Sequence, residues 1–331
     1  MDSVLSCFFP TTVVLVDDNA DFLESLTETI ESAGLFCKAF TDPKQALEYI
    51  NEVSRINKLD YSDLIRDGEE NTSDWTSILF NISGLHREIY SSNRFMRISA
   101  VISDYMMPLQ MSGVELCSNI HDKGIQRILL TGVADNTKGV EAFNEGYITR
   151  FVKKGTPSFE SDFLQNLEKS IFQYFKYYTN FVAKHISIVD STHLNDNIFT
   201  DFFFKIYSNG TYVESYMLDA FGSYLLLKAD GKASMLSVLT ESELDRLIDV
   251  GIASEEIDPD VLAKLRSRKY MIVFHSRLGT LPPITKWGEY IHPAIKVDGY
   301  RTYYCALSVA EPDLDYDKII SFNSFKKSLA R

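Results

Sequence analysis

A chain of 331 residues, 45% hydrophobic and 24% charged, is long for one ordinary domain and too apolar to be disordered, so two domains are expected. A net charge of −13, with acid in excess in both halves, argues against a binder of phosphate backbones, which carries a basic face. No uncharged apolar run has the length of a membrane span, and the 4 cysteines lack Cys-x-x-Cys spacing, which points away from membranes, zinc and disulfides and toward a cytoplasmic setting.

The opening run from Val4 to Val16 is broken by Pro10, lacks a basic start and meets Asp17 and Asp18, so no signal peptide is expected. Thr12 to Val16 is apolar and mostly β-branched, the pattern of a strand buried on both faces of a parallel sheet. After Asp17-Asp18-Asn19, the apolar positions Phe22, Leu23, Leu26 and Ile30 recur at helical spacing until Gly34 stops the helix. Leu35 to Phe40 reads as a second strand, and Asp42-Pro43 as the cap and first turn of a second helix. An insertion at about 55–97 follows. In it Trp75, Ile78, Leu79, Ile82, Leu85 and Ile89 predict a helix capped by Ser73 or Asp74, which either packs on the flank of the first domain or offers a partner surface. Ile98 to Ser103, Arg127 to Leu130 and Tyr147 to Val152 supply three more strands with helical stretches between them. Five strands alternating with helices predict an α/β fold, a five-stranded doubly wound parallel sheet.

The binding crevice of such a sheet lies at the carboxyl ends of its strands. There the sequence places Asp17 and Asp18, Asp104, Thr131 and Lys153-Lys154. Carboxylates side by side repel unless a divalent cation neutralises them, and an all-oxygen set suits Mg²⁺. A hydroxyl and an ammonium opposite supply what a transferred phosphoryl group needs, and one carboxylate can act as nucleophile. Any one of these aspartates alone is an ordinary strand-end or cap residue; their joint placement carries the chemistry.

The segments VVLVDDN (13–19), ISDYMMP (102–108), Gly113, ILLTG (128–132) and FVKKG (151–155) resemble the CheY-like receiver domain of two-component response regulators. The resemblance covers residues 1–157 and implies that Asp104 is phosphorylated by a sensor histidine kinase. It implies that Asp18 binds Mg²⁺ directly and Asp17 through water, with Asp104 and the Met106 carbonyl completing the protein ligands. It further implies that Thr131 and Lys154 contact the phosphoryl group and that Phe151 is the aromatic switch residue. Gly113 comes one residue later than is usual in the family. Gly155 replaces the proline that commonly follows the lysine, so the usual cis peptide is in question there.

Residues 158–186 read as an extended helix without proline or glycine after Ser158. Leu164, Leu167, Ile171, Tyr174, Tyr178 and Phe181 alternate at three- and four-residue steps, with Phe163, Phe172 and Phe175 widening the stripe. The first half has its own sheet to pack on; beyond Tyr174 the aromatics need the output domain or a second chain. A homodimer seam is expected at Leu167, Ile171, Tyr174, Tyr178 and Phe181.

Residues 187–331 read as a mixed α+β output domain of unfamiliar type. Strands are expected at Phe202–Tyr207, Thr211–Leu218, Ser223–Leu227, Ala233–Leu239, Tyr270–His275 and Thr302–Val309. Thr240 with Glu243 forms a capping box for one helix, Asp258-Pro259 opens another, and Tyr316–Leu329 closes the chain as a helix. No GGDEF, EAL, HD, P-loop or dinucleotide signature is present, so no enzyme activity is assigned. The acidic helices at 241–267 have the wrong sign for a groove reader. His185, His193, His275 and His292 show no metal-ligand spacing, and Cys305 sits in an apolar strand rather than a reactive site. The whole architecture also resembles the quorum-sensing response regulators of Legionella, implying a cytoplasmic regulator downstream of a kinase for a diffusible signal. The expected protein is a response regulator whose phosphorylation controls dimerisation and an output domain that binds a protein or small ligand. A transcription factor with an atypical DNA-binding domain and a phosphorylation-regulated enzyme are the alternatives.

Overall fold

The computed structural model describes residues 3–57, 65–66, 79–80, 87–107, 111–132, 136–185, 190–219, 221–273, 282–309 and 314–329. The elements run β1 (Cys7–Phe8), β2 (Thr12–Val16), α1 (Ala20–Ser32), β3 (Phe36–Phe40), α2 (Pro43–Ile56), β4 (Ile65–Arg66), β5 (Leu79–Phe80), α3 (Asn93–Met96), β6 (Ile98–Asp104), α4 (Gly113–Ser118), β7 (Gln126–Thr131), α5 (Asn136–Asn144), β8 (Arg150–Lys153) and α6 (Phe159–His185). They continue with α7 (Asn197–Asn209), β9 (Tyr212–Met217), β10 (Tyr224–Lys228), β11 (Ala233–Thr240), α8 (Glu241–Ser254), α9 (Pro259–Arg266), β12 (Tyr270–Ile272), β13 (Ile291–Pro293), β14 (Ile295–Asp298), β15 (Thr302–Val309) and α10 (Phe322–Leu329). Two compact units emerge: residues 9–59 with 92–178, and residues 1–8 with 60–91 and 179–331.

The first unit is the expected doubly wound sheet, five parallel strands in the order β3-β2-β6-β7-β8. Every residue of β2 is buried, as are the first six of β6, because helices cover both faces. The pairings Val16 with Ser103, Asp104 with Leu130, and Thr131 with Lys153 align the carboxyl ends of β2, β6, β7 and β8. Asn19 caps α1 by accepting from the Phe22 amide, and Asp42 caps α2 with Pro43 in its first turn. Both helices therefore start where the sequence signals them.

The second unit is built on a six-stranded sheet in the order β1-β9-β10-β11-β15-β14. All its pairings are antiparallel. The helices α8 and α9 bury Leu244, Leu247, Val261 and Leu265 in a core with Met235 and Trp287. Thr240 caps α8 by accepting from the Glu243 amide, and its hydroxyl bonds the Glu243 carboxylate. All four cysteines are buried and none of them is in a disulfide. Burial pushes the Cys37 thiol up to about 11 and the Cys117 thiol up to about 12, and it raises that of Cys305 as well.

Several sequence expectations are corrected. Phe202–Tyr207 is not a strand but lies in α7, which Asp196 caps through the amides of Ile198 and Phe199. An unbroken aromatic run hides its helical period; Phe199 and Phe203, four residues apart, are the buried pair. Tyr270–His275 forms a strand only to Ile272, and His275 lies outside the described residues. The closing helix starts at Phe322, with only a 3-10 turn at Tyr316–Lys318. The helix expected over 75–89 is not continuous: Leu79–Phe80 is a strand paired with Ile65–Arg66, helical backbone is found at 87–89, and the rest lies outside the described residues.

The units also redraw the boundaries read from sequence. Residues 6–8, expected in the first domain with the rest of 1–157, join the other sheet: Cys7 pairs with Tyr216, Phe8 with Ser215, and the Met217 amide donates to the Ser6 carbonyl. Residues 87–91 of the insertion likewise belong to the second unit, where the Ile320 amide donates to the Ile89 carbonyl and the Asp315 amide to the Tyr90 hydroxyl. The sheet edge at β9 and the backbone groups at 315 and 320 each need partners, and these distant segments supply them.

Candidate functional site

The aligned strand ends bring Asp17, Asp104 and Lys154 into contact. Asp17 is buried and its carboxylate is held at both oxygens: Oδ1 accepts from the Asn19 amide at 2.9 Å and Oδ2 from Lys154 Nζ at 2.6 Å. Asp104 closes β6, with Oδ2 accepting from the Met106 amide at 2.9 Å and Oδ1 lying 2.5 Å from the same Nζ. The backbone holds Lys154 in place, its amide donating to the Thr131 carbonyl at 2.8 Å. One ammonium thus bridges two carboxylates through short charge-assisted bonds.

Thr131 is buried at the end of β7, Asp18 is exposed beside Asp17, and Met106 presents an exposed side chain. Phe151, on β8, is 47% exposed, so its ring points to solvent. Pro108 lies outside the described residues. Gly155 turns the chain after Lys154 with φ of +73°, and the described residues contain no cis peptide.

For a divalent cation, the donor set is oxygen-only. Asp17 and Asp104 already converge on one cation-sized position, the place of Lys154 Nζ, so these two residues fit a hard metal. Among the described residues no three acidic, histidine or cysteine side chains are gathered as a cage.

Gly113 has a steric reason that sequence spacing only hinted at. A Cβ there would lie 2.0 Å from the Asp104 carbonyl oxygen and 2.9 Å from Leu129 Cδ1, and the nearer atom is backbone that cannot swing aside. The α4 helix therefore starts directly against β6, locked by a capping box between Ser112 and Glu115. Those Ser112 bonds also hold the Glu115 carboxyl below its ordinary value. Gly113→Ala is expected to cost about 3 kcal/mol by urea denaturation, the upper end for overpacking. Gly139→Ala on α5, where an added Cβ meets nothing within 4 Å, should instead add about 0.5–1 kcal/mol. Equal stabilities for the two variants would defeat the steric account.

The expected dimer seam is corrected by burial. Leu167, Ile171, Tyr174 and Tyr178 are all buried within the chain, so they have no surface left for a second copy. Tyr174 packs edge-on against Tyr178 at 5.0 Å, and the neighbouring Phe175 against Phe9 at 4.9 Å. The Phe181 side chain lies outside the described residues. Phe22, which the sequence marked only as an apolar helix position, is a residue of the site: its ring lies under the Lys154 ammonium at 4.3 Å. No local signal marks it, because the contact joins α1 to a loop far along the chain.

No family model matches the chain, and no curated protein matches it. Among solved structures the chain is similar to the Legionella pneumophila response regulator LqsR, with 30% sequence identity, a TM-score of 0.82, and 99% of this chain and 97% of that chain covered. A CheY-like response regulator receiver domain protein from Methanospirillum hungatei JF-1 aligns with 51% of this chain and 98% of its own, at 17% identity and a TM-score of 0.34. The structure of FixJ-N aligns with 50% of this chain and 94% of its own, at 20% identity and a TM-score of 0.31.

Proposed function

Since the chain belongs to the two-component response regulators, the family of the structure it matches over nearly its full length, we propose that Asp104 is the phosphoacceptor for a sensor histidine kinase. The observation that carries this reading is the convergence of Asp17, Asp104 and Lys154 at the ends of adjacent parallel strands. A carboxylate oxygen of Asp104 attacks phosphorus as the bond to the donor histidine nitrogen breaks, leaving an acyl phosphate and a neutral imidazole. Lys154 then pairs with the phosphoryl oxygens, and the Thr131 hydroxyl donates to one of them. Asp17, Asp18, Asp104 and the Met106 carbonyl would hold Mg²⁺. The ion supplies positive charge that offsets the carboxylates and the incoming phosphoryl group. Phe151 fills the space beside Thr131 as the hydroxyl turns inward. Incubation with acetyl phosphate and Mg²⁺, read by intact mass, tests this: one added phosphoryl group supports it, and none overturns it.

The output is read more coarsely. Its acidic helices α8 and α9 favour a protein or small-ligand partner over DNA. No helix among the described residues is long and apolar enough to cross a membrane, which suits action in the cytoplasm. A homodimer is the phosphorylated form. With Leu167, Ile171, Tyr174 and Tyr178 buried, it forms through other surfaces. Sedimentation with and without a phosphoryl mimic should show a monomer becoming a dimer at tens of micromolar, on the scale of micromolar affinities. A monomer in both conditions would remove dimerisation from the mechanism.

A further inference from the structure

Lys154 has a third neighbour that phosphoryl chemistry does not require. While bonded to Asp17 and Asp104, its ammonium lies 4.3 Å from the centroid of the Phe22 ring, which holds a cation through the negative face of its π-system. Phe22 stands in the first turn of α1 and lies 6.1 Å from the Phe159 ring, tilted by 40°. Phe159 in turn stacks on Phe163, at 5.9 Å and 24°, and Phe163 is fully buried. Phe159 is the first residue of α6, a helix of 27 residues whose last turns, from Thr179, are counted with the antiparallel unit. An unbroken line of contacts therefore runs from the ammonium to the start of a helix whose residues fall in both units.

We propose that Phe22 and Phe159 form a relay by which the position of the Lys154 ammonium sets the packing of the first turn of α6. Phe22 is then a positioning residue that couples the site to the linker helix. The trigger of the relay rests on the reading of Asp104 as the phosphoacceptor; the contacts themselves do not. A phosphoryl group brings a charge of about −1.5 to −2 and three acceptor oxygens, so it becomes the strongest partner of Nζ and draws it off the ring. Phe22, no longer held by the cation, repacks against Phe159, and the first turn of α6 loosens. The path runs through α1 and the start of α6, not through β7 and β8, where Thr131 and Phe151 sit. A ring that merely fills the flank of the sheet would be insensitive to the charge above it.

Amide hydrogen exchange on the full chain separates the two roles. The probes are the amides of Phe159 and Asp162, bonded to the Thr156 and Ser158 carbonyls at 3.0 and 2.9 Å. Lys154→Met removes the charge, and in unphosphorylated protein it should speed exchange at these amides roughly two- to fivefold, the equivalent of one partly exposed cation–π contact. In a Phe22→Leu background the same change should have no further effect. Equal acceleration in both backgrounds, or none in either, overturns the relay. With acetyl phosphate and Mg²⁺, wild type and Phe159→Leu should both be labelled, but only wild type should change its exchange at the start of α6. A response in both proteins also overturns the relay. Absence of labelling in wild type instead overturns the reading of Asp104, and the double-mutant cycle then decides the relay by itself.

Discussion

Asp104→Asn is expected to reduce labelling by acetyl phosphate to background while leaving the fold intact. The carboxylate is the nucleophile, and an amide of the same shape has no oxygen basic enough to replace it. In the wild type Oδ1 meets the Lys154 ammonium while Oδ2 accepts from the Met106 amide. An asparagine has one acceptor oxygen for these two donors, so it also leaves one of them unsatisfied or turned to water. The side chain is partly accessible at the strand end, which keeps the cost in stability small. Mass spectrometry should show one phosphoryl group on the wild type and none on the variant. Stoichiometric labelling of Asp104→Asn, on Asp17 or Asp18 for example, would falsify the assignment.

Deleting residues 1–8 is expected to unfold the antiparallel unit. By its sequence this segment is expected in the first domain, yet it pairs with β9 of the other sheet, and Val4, Leu5 and Cys7 are buried. Its backbone forms the edge strand against β9, and the Ser6 amide donates to Thr179 Oγ1 at 2.9 Å. Fully burying an aliphatic side chain contributes about 1.5–3 kcal/mol. Val4 and Leu5 together amount to roughly 3–6 kcal/mol as an upper estimate, a large share of the ~5–15 kcal/mol that stabilises a whole domain. Calorimetry should show the transition of the antiparallel unit lost and that of the parallel unit kept. Leu5→Ala, a milder change, should cost about 2–5 kcal/mol. A truncated protein that melts as the full chain does would show that the segment is not needed.

The parallel unit was legible because its signals are local. Five residues of β2 and the first six of β6 form buried runs that lead straight into aspartates. Asn19, Asp42 and Gly34 punctuate the helices between strands through bonds made within a few residues. The antiparallel unit was less legible. In α7 the contiguous aromatics suit a strand by propensity, and only the cap at Asp196 and the buried pair Phe199 and Phe203 give the helix away. The heptad-like stripe on α6 was correctly seen as apolar, but its period does not say whether the chain or a second copy covers it. Burial of Tyr174 and Tyr178 answers that question.

What the sequence by itself determined is the chemistry of the site. Asp104 and Thr131 end β6 and β7, Asp17 and Lys154 directly follow β2 and β8, and right-handed crossovers leave successive parallel strands with their carboxyl ends on one side. Once the strand runs are read, convergence of those residues is a consequence of topology. Tertiary structure alone decided which sheet receives residues 3–8, which unit takes the insertion, and which ring lies beneath Lys154. A two-residue strand has no period to detect, and an edge strand is selected by the vacant backbone groups of its neighbour, here β9, some two hundred residues away. The contact of Phe22 with Lys154 depends in the same way on two distant backbones meeting in space, which no spacing along the chain encodes.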